Sequence, residues 1–299
     1  KCEGEMELYG QKYRCWKKKG HGYMTLRNAI KQSCDVYFYE IARKLGVDRL
    51  SETAKKYGLG EKVLNNYFLE EKKGVIPSTN WKVKNIGRSW VLGETLITGI
   101  GQGYIQCTPL ELCLMMAQLA NGGFKIQPRI IDDGKVFYEK IKSNIEAQFK
   151  EIEQNLKKTE KQKNTIVEEN ILNKPDSINL ISLFRNPENV KFVNEAMYGV
   201  TNEIMGTAYS SRHNKKKYIY AGKTGTSQVK RITEEQREQK IDIEDIPYKE
   251  RDHALFVAFA PYKNPRYAIS ILIEHGGSGG TVAAPLAKKL IKIIIDRHQ

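Results

Sequence analysis

Helical patterns fill the first third of the chain, and strand patterns fill its last third. Thr25 can cap a first helix, and a stretch with helical apolar spacing then extends from Val36 to Leu45 and ends at Gly46. A further helix is predicted from Asp48 to Tyr57. Helices that come first along a chain and are followed by a group of strands indicate an α+β protein.

The clearest helix start lies in the middle of the chain, at Thr108. Thr108 can cap this helix, Pro109 suits its first position, and Glu111 completes a capping box. The Met and Leu residues that follow, as far as Leu119, are predicted to face the core. Residues 60–100, in contrast, are predicted to be rich in loops.

Residues 132–189 differ in character from the rest and are predicted to be a charged helical insertion. From Glu146 to Asn170 the sequence is dense in Glu, Lys, Gln and Asn, with apolar residues at helical spacing. This pattern predicts an exposed helix. A globular helix is expected to resume over Val190 to Val200.

The last third of the chain predicts an antiparallel sheet that is closed by a helix. A strand-like stretch begins near Tyr218 and leads into Gly222 to Thr226. Two further strands, His253 to Ala260 and Arg266 to Glu274, are separated by a turn rich in Pro and Asn, which predicts a hairpin. An amphipathic helix from Thr281 to Asp296 follows. Together these patterns predict an α+β fold.

Composition limits the functions that are open to the chain. Of its 299 residues 40% are hydrophobic, which is enough for a substantial core, and its apolar runs are far too short to span a bilayer. The net charge of +14 comes without any motif that reads RNA or DNA, so we interpret the basic residues as solvated surface and predict no nucleic-acid partner. The abrupt start at Lys1 is what we expect of a fragment, so the lack of an export signal says nothing about location.

Lys223-Thr224-Gly225, followed by Thr226, lies at the end of a strand-like stretch. On an edge strand the lysine would supply a positive field, the threonine hydroxyls could bind a carboxylate, and the glycine would let a substrate approach the backbone. The backbone N–H of Thr226 would then face an acyl oxygen as an oxyanion donor. Such a triplet is common by chance, and a simple turn is the alternative.

Ser33-Cys34-Asp35 lies between two predicted helices. A spacing of two residues predicts that Ser33 and Asp35 face the same side, where the serine hydroxyl could relay a proton and Asp35 could hold that hydroxyl in place. For such a short motif a serine helix cap is the alternative. Ser-x-x-Lys, Ser-Asp-Asn and Lys-Thr-Gly form the signature of penicillin-binding proteins and class A β-lactamases, and here the second and third elements occur in that order.

Further blocks of sequence resemble the class B penicillin-binding proteins, in particular the elongation-type penicillin-binding protein 2 group. The resemblance extends from about Lys12 to Ile295, apart from the insertion. The blocks that carry it are Trp16-Lys17, Gly20-His21-Gly22, Cys34 to Tyr39, Gly46 to Leu50, Gly99 to Tyr104, Met197 to Val200, Gly206 to Ala208, Asp252 to Ala254 and Phe259 to Tyr262. It implies a partial transpeptidase domain over residues 1–299, with the α+β fold of β-lactamases and transpeptidases, in which a helical subdomain packs on an antiparallel sheet.

The resemblance also implies D,D-transpeptidation of peptidoglycan stem peptides through a serine acyl-enzyme, with β-lactams as substrate mimics. The residues with a catalytic role would be Ser33, Asp35 and Lys223. The residues that bind substrate would be Thr224, Gly225 and Thr226. The family's nucleophilic serine is expected upstream of residue 1, so the chain as given is expected to be inactive. Ser227 to Lys230 has the spacing of Ser-x-x-Lys but directly follows the Lys-Thr-Gly strand, and we interpret it as a chance match.

Location and partners follow from the same resemblance. It implies a periplasmic domain at the bacterial inner membrane, a membrane anchor upstream of this chain, and a partner glycosyltransferase of the shape, elongation and division family. Two other functions stay open. A β-lactamase would need a deacylating base, usually in a Glu-Pro-Glu-Leu-Asn type of loop, and no such segment is visible. A non-catalytic β-lactam sensor or scaffold would lack an upstream Ser-x-x-Lys.

Four potential metal ligands fall within the first 34 residues: Cys2, Cys15, His21 and Cys34. Three thiols and an imidazole suit a closed tetrahedral Zn²⁺ site, although the tight Cys-x-x-Cys spacing of zinc fingers is absent. The resemblance supports zinc, because relatives carry a zinc site in this region, with Cys2 the least securely aligned of the four.

A metal in this region could support the second motif. If Ser33 and Asp35 face the cleft, Cys34 faces away from it, and a bound ion could brace the motif from behind. The alternative is a Cys2–Cys15 disulfide, with Cys34 as a small buried hydrophobic residue.

Overall fold

The computed structural model of the chain describes residues 1–64, 70–129, 146, 147, 150, 181–230 and 245–298. Within these residues eight α-helices and two small antiparallel sheets form the α+β architecture that the sequence predicts. None of the helices in these ranges is long and apolar enough to cross a membrane. Apart from Glu146, Ala147 and Lys150, the charged helix predicted up to Asn170 lies outside the described residues.

A hairpin that the sequence patterns do not predict opens the chain. Strand β1 (Glu5–Leu8) pairs antiparallel with β2 (Gln11–Arg14). Tyr9 and Gly10 form the turn between them with φ of 51° and 75°, the pair of positive angles that two-residue hairpin turns favour. Because tyrosine rarely adopts a positive φ, the sequence gives little warning of this turn. The hairpin leads directly to Cys15.

Three helices follow in the predicted order: α1 (Leu26–Gln32), α2 (Asp35–Leu45) and α3 (Val47–Lys56). The Thr25 hydroxyl accepts the backbone N–H of Asn28 and so caps α1, as predicted. Gly46 separates α2 from α3 with φ of 78°, a conformation that is unfavourable for residues with a Cβ.

Residues 60–100 contain two helices where the sequence predicts loops, α4 (Thr79–Ile86) and α5 (Leu92–Gly99). An ion pair between the two helices stabilises them: Lys82 Nζ lies 2.6 Å and 2.7 Å from the two carboxylate oxygens of Glu94. The Lys82 side chain is only 6% exposed. The prediction of a loop-rich region is therefore wrong, because short helices held by such tertiary contacts carry a weak local signal.

Helix α6 (Pro109–Ala120) begins at the predicted capping box. The Thr108 hydroxyl accepts the N–H of Glu111 at 3.2 Å, and the Glu111 carboxylate accepts the N–H of Thr108 at 3.0 Å. Glu111 is fully buried and also accepts the N–H of Gly74 at 2.6 Å. Met116 is fully buried as well, which confirms that this helix faces the core.

The described residues on the two sides of the segment 126–180 lie next to each other. Phe124 and Ser182 form an antiparallel β-bridge, flanked by two backbone hydrogen bonds of 2.8 Å. Helix α7 (Pro187–Asn202) follows and contains the predicted Val190 to Val200. Residues 187–189, which the sequence assigns to the insertion, therefore belong to the globular domain.

The second sheet has the strand order β3 (Ala221–Ser227), β4 (His253–Ala260), β5 (Tyr267–Ile273), and both pairs are antiparallel. The predicted hairpin of β4 and β5 is confirmed. Strand β3, which carries the Lys-Thr-Gly motif, is at one edge of this sheet.

Helices cover both faces of the sheet. Alternate side chains of β4 therefore contribute to two different cores. Phe256 lies on the face that packs against helix α8 (Ala284–Arg297) and its buried Ile291. Phe259 lies on the opposite face with Met116 and Met197 of α6 and α7. The predicted terminal helix is present, and one π-helical turn, Gly279–Ala283, precedes it.

Candidate active site

Two motifs that are 190 residues apart in the sequence meet beside the edge strand of the sheet. Lys223 Nζ on β3 donates to the Ser33 hydroxyl at 2.9 Å. The same ammonium donates to the backbone oxygen of Thr224 at 2.9 Å. The structure therefore joins the second and third predicted elements in one site.

Ser33 occupies the junction between α1 and α2 in a left-handed conformation, with φ of 53° and ψ of 55°. This conformation is unfavourable for a residue other than glycine, so its surroundings must hold it. The indole Nε1 of Trp16 donates to Ser33 O at 2.8 Å and to Gln32 O at 3.1 Å. Trp16 thus fixes the backbone of the junction while the Ser33 hydroxyl contacts Lys223.

Asp35 begins α2, and its carboxylate accepts the backbone N–H of Trp16 at 2.8 Å. The Cys15 side chain is a second hydrogen-bond partner of this carboxylate. Among the described residues no hydrogen bond joins Asp35 to Ser33, in contrast to the prediction. The left-handed turn at Ser33 explains the difference, because it separates the serine hydroxyl, on the β3 side, from a carboxylate on the side of the N-terminal hairpin. Burial raises the pKa of Asp35 to about 7, and the nearby Lys223 ammonium acts in the opposite direction.

The pKa of Lys223 lies close to neutral pH. Desolvation lowers the pKa of Lys223 to about 8, and attraction to Asp35 partly opposes this effect. Groups that titrate near neutral pH through burial and a charged neighbour are common at functional sites. Lys223 can therefore serve as a positive charge at neutral pH and lose that charge in mildly alkaline solution.

Two side chains from outside the strand hold the rest of the Lys-Thr-Gly segment. The hydroxyls of Thr224 and Thr207 are 2.7 Å apart, and Gln102 Nε2 donates to Thr226 O at 2.8 Å. Thr226 is exposed, so its hydroxyl is accessible to a ligand. This arrangement fixes Thr224 and leaves Thr226 at the open edge.

Close approach of the backbone explains one glycine of the site. A Cβ on Gly279 would lie 2.3 Å from Gly225 O and 2.2 Å from Leu255 O, well inside contact distance. The turn before α8 therefore fits against β3 only with glycine at this position. Gly225 is less restricted, because its Cβ would meet only the side chain of Leu255, at 3.3 Å, a tight contact that a small shift relieves.

The four predicted metal ligands converge on one point. The ligand atoms of Cys2, Cys15, His21 and Cys34 all lie within 4.8 Å of one another. His21 Nδ1 is 3.6 Å from the sulfur of Cys2 and 3.5 Å from that of Cys15. Two ligands of a tetrahedral Zn²⁺ are about 3.6 Å apart if Zn–S is about 2.3 Å and Zn–N about 2.0–2.1 Å, so the observed spacing fits such an ion.

The protonation of this cluster also suits a cation. All three cysteines are free thiols and are at most 2% exposed, so the alternative Cys2–Cys15 disulfide is not formed. A hydrogen bond from the Cys34 thiol lowers the pKa of Cys15 and so favours its thiolate form. His21 Nε2 is buried and has no partner within the described part of the chain. A buried thiolate beside an imidazole provides the donor set of a thiol-rich zinc site.

Ser227 to Lys230 does not form a second nucleophile motif. Ser227 is the last residue of β3, and Lys230 pairs with Glu250 at 2.8 Å. The four residues are not helical, so the spacing of a Ser-x-x-Lys turn is not realised. The structure agrees with the interpretation of this stretch as a chance match.

The site includes three residues for which the sequence analysis predicts no role: Trp16, Gln102 and Thr207. All three lie in blocks that carry the family resemblance, which was the available signal. Their hydrogen bonds to the motifs join residues that are between 17 and 124 positions apart, a separation at which local patterns carry no information. Their importance is therefore visible only in the folded chain.

A Ser-x-Asp helix junction beside a Lys-Thr-Gly edge strand, on a sheet covered by helices, defines the class of serine acyl-transferases that react with penicillin. The family model described as "Penicillin binding protein transpeptidase domain" matches residues 2–292, and the chain belongs to this family.

The relatives include peptidoglycan D,D-transpeptidases named MrdA, and the similar solved structures include proteins named PBP2. Peptidoglycan D,D-transpeptidase MrdA of Salmonella typhimurium is 34% identical over 287 residues, which cover 95% of this chain and 40% of that protein. The chain thus spans about two fifths of the length of this relative.

Solved structures agree with this assignment. The complex of PBP2 with MreC from Helicobacter pylori matches with a TM-score of 0.74 and 29% identity, over 99% of this chain and 44% of that one. Pseudomonas aeruginosa PBP2 in complex with WCK 5153 matches with a TM-score of 0.70 and 34% identity, over 97% of this chain and 52% of that one. The predicted family and fold are therefore confirmed.

Proposed function

We propose that the chain forms most of the transpeptidase domain of a peptidoglycan D,D-transpeptidase that cross-links stem peptides during cell-wall elongation. The observation that carries this proposal is the 2.9 Å hydrogen bond from Lys223 to Ser33, which assembles the two motifs at the edge of β3. The names of the relatives support the same reaction.

The reaction proceeds in two steps. A serine upstream of residue 1 attacks the D-Ala-D-Ala carbonyl carbon, and the terminal D-Ala leaves with a proton. The amine of a neighbouring stem peptide then attacks the acyl-enzyme, so that the serine is released and a peptide bond forms.

The described residues act around this nucleophile. Ser33 transfers the proton to the leaving amine, since its hydroxyl already accepts a hydrogen bond from Lys223. Lys223 stabilises the negative charge that develops on the acyl oxygen, and the N–H of Thr226 donates to that oxygen. The hydroxyls of Thr224 and Thr226 bind the substrate carboxylate, and Gly225 keeps the strand narrow enough for the substrate to lie beside it.

Location and partners are part of the same proposal. The domain lies on the periplasmic face of the inner membrane, anchored by a segment upstream of this chain, and works with a glycosyltransferase of the shape, elongation and division family. The Helicobacter pylori relative was solved in a complex with MreC, which supports a role in an assembly that shapes the cell.

We also propose that Cys2, Cys15, His21 and Cys34 hold a structural Zn²⁺ ion. Its support is the convergence of three buried cysteine sulfurs and an imidazole within 4.8 Å. The ion would supply a cross-link between the N-terminal hairpin and the α1–α2 junction. Cys34 is the neighbour of Ser33, so this cross-link would limit the movement of the motif without touching the substrate.

Covalent labelling with a β-lactam tests the enzymatic proposal. This chain and the full-length protein are each incubated with benzylpenicillin and analysed by intact mass spectrometry. A persistent adduct on the full-length protein alone supports a transpeptidase with an upstream nucleophile. Rapid release of hydrolysed benzylpenicillin would indicate a β-lactamase. The absence of an adduct on the folded full-length protein would indicate a scaffold without catalysis.

A further inference from the structure

A second concave site lies between α8 and the loop that joins α7 to β3, outside the candidate active site. It has a volume of about 250 Å³. We call this site the basic pocket. Its lining includes the side chains of Arg212, His213, Lys215, Tyr218, Lys288 and Lys292. Its volume corresponds to about eight water molecules at roughly 30 Å³ each, which leaves room for a small polyatomic ligand.

The basic pocket has a large excess of positive charge. Four of its lining residues are cationic and none is acidic. One lining residue, Lys292, pairs with the carboxylate of Asp296 at 2.8 Å. Lys217 at 3.0 Å and the Tyr218 hydroxyl at 2.5 Å also engage that carboxylate. Within the described part of the chain, no carboxylate pairs with Arg212, Lys215 or Lys288. An anion that enters the pocket would therefore meet charges that are not already neutralised.

Several contacts fix the pocket before any ligand binds. His213 Nε2 lies 2.9 Å from Lys288 O, so this nitrogen donates to the carbonyl and links the loop to α8. The Arg212 guanidinium lies 4.1 Å from the centroid of the Tyr209 ring, and the His213 ring lies 5.1 Å from that of Tyr218. Side chains that are already positioned lose less conformational entropy when a ligand binds.

The titration of His213 agrees with a positive environment. Burial lowers the pKa of His213, and the charges of Lys288 and Lys292 lower it further. Because Nε2 donates to a carbonyl, protonation would occur at Nδ1. The facing groups are Arg212, Lys215, Lys288, Lys292 and the phenol of Tyr218. A bound anion would offset their repulsion and raise the pKa of the imidazole.

We propose that the basic pocket binds an oxyanion of the phosphate class, either as a free phosphate compound or as the headgroup of an anionic lipid. A guanidinium provides a planar set of donors that matches phosphate oxygens, and ammonium groups add charge without a fixed geometry. Three cations without a carboxylate partner around one cavity suit a phosphate with more than one negative charge better than a single carboxylate. This site is independent of the proposed transpeptidase activity.

Calorimetric titration of the full-length protein with inorganic phosphate and pyrophosphate tests the proposal. The double variant Lys215→Gln, Lys288→Gln removes two charges from the pocket. The matched control Lys289→Gln, Lys84→Gln removes two exposed charges outside it. We expect saturable binding to the unchanged protein and the control, and at least tenfold weaker binding to the pocket variant. Thermal unfolding of both double variants ensures that folded proteins are compared.

Sedimentation with vesicles distinguishes the two sources of phosphate. Vesicles of phosphatidylglycerol and of phosphatidylcholine are incubated with the same three proteins. A preference for phosphatidylglycerol that only the pocket variant loses indicates a lipid headgroup, whereas equal sedimentation of all three with saturable pyrophosphate binding indicates a soluble ligand. The proposal is overturned if the unchanged protein binds neither phosphate, pyrophosphate nor phosphatidylglycerol, or if both double variants lose binding equally.

Discussion

Lys223 and Ser33 come from distant parts of the sequence, and the position of each depends on the other. The hydrogen bond between them requires Ser33 to keep a left-handed backbone, which Trp16 holds through the carbonyl groups of Gln32 and Ser33. It also requires β3 to present its lysine at the edge of the sheet. Single residues of this site therefore act by holding separate elements, the α1–α2 junction and β3, next to each other.

In the proposed reaction, Lys223 is expected to confer sensitivity to alkaline pH. Its pKa is lowered to about 8, so the ammonium is present below this pH and is lost as the pH rises through it. We expect the rate of acylation of the full-length protein by benzylpenicillin to fall above pH 8, because the positive charge beside the acyl oxygen disappears. Stopped-flow measurement from pH 6 to about pH 10 records this decline in rate, which is the alkaline limb of the pH profile.

The variant Lys223→Gln tests the assignment of that limb. It should lower the acylation rate by about 10²-fold, the usual effect of removing one electrostatic stabiliser of a transition state, and should abolish the alkaline limb. Lys230→Gln removes a lysine just beyond β3 and should leave both unchanged. An alkaline limb that persists in Lys223→Gln would assign it to another group.

Trp16 should be required for the geometry of the junction and not only for stability. Trp16→Phe removes the indole N–H that donates to Ser33 O and Gln32 O. We expect a loss of about 0.5–1.5 kcal/mol in the free energy of unfolding, together with slower acylation. Trp81→Phe, a change of the same kind on α4, should leave acylation unaffected. Equal acylation by both variants would contradict a positioning role for Trp16.

At the scale of elements, helix ends carry much of the specificity of the fold. The capping box of α6 uses Glu111 both at its own helix and for the N–H of Gly74, so one buried carboxylate joins the helix to a preceding loop. Lys82 and Glu94 join α4 and α5 in a similar way. Buried polar groups of this kind define one arrangement of the elements, since any other would leave them unpaired.

Substitutions at the start of α6 should differ in their effects. Thr108→Ala removes one cap and should lower the free energy of unfolding by about 1 kcal/mol. Glu111→Ala should lower it by about 2–4 kcal/mol, because two backbone N–H groups lose their acceptor. Glu188→Ala, an exposed carboxylate in the first turn of α7, should have little effect. Urea denaturation of the four proteins gives the order, and a smaller effect for Glu111→Ala than for Thr108→Ala would contradict it.

The sequence predictions succeed where neighbouring residues determine an element and fail where tertiary contacts determine it. The capping box at Thr108, the β4–β5 hairpin and the terminal helix are defined by neighbouring residues, and all three are present. Helices α4 and α5 were missed because the Lys82–Glu94 pair that stabilises them is a tertiary contact. The first hairpin was missed because its turn places a tyrosine at positive φ.

The candidate site shows the same limit. Ser33, Lys223 and the four possible metal ligands could be named from their motifs and the family resemblance, and the structure brings each set together. The partner of Asp35 could not, because it depends on how the left-handed turn at Ser33 orients two neighbouring side chains. Motifs identify the residues, whereas their pairing depends on the fold.

At the scale of the whole molecule, the four clustered ligands connect its N-terminal hairpin with its helices. Cys2 and Cys15 flank the hairpin, while Cys34 caps α2 beside Ser33. An ion at this point would add a cross-link to a hairpin that already packs on the helices through Met6, Leu8 and Tyr13. Two-stranded hairpins are only marginally stable alone, so this link has consequences for the entire N-terminal region.

Metal removal should therefore affect both stability and the site. We expect the purified protein to contain one zinc ion per chain by mass spectrometric metal analysis. Chelation should lower its melting temperature by about 5 °C or more and slow acylation by benzylpenicillin. Cys34→Ser should lose the metal, whereas Cys107→Ser should retain it. A metal-free protein with the same melting temperature as the untreated one would contradict the zinc proposal.

The bridge between Phe124 and Ser182 makes the domain tolerant of changes in length. A segment whose two ends meet at a closed backbone contact can be lengthened or replaced without moving the residues on either side, and the entropic cost grows only slowly with its length. A fluorescent reporter inserted between the residues that this bridge joins should therefore leave the candidate site in place.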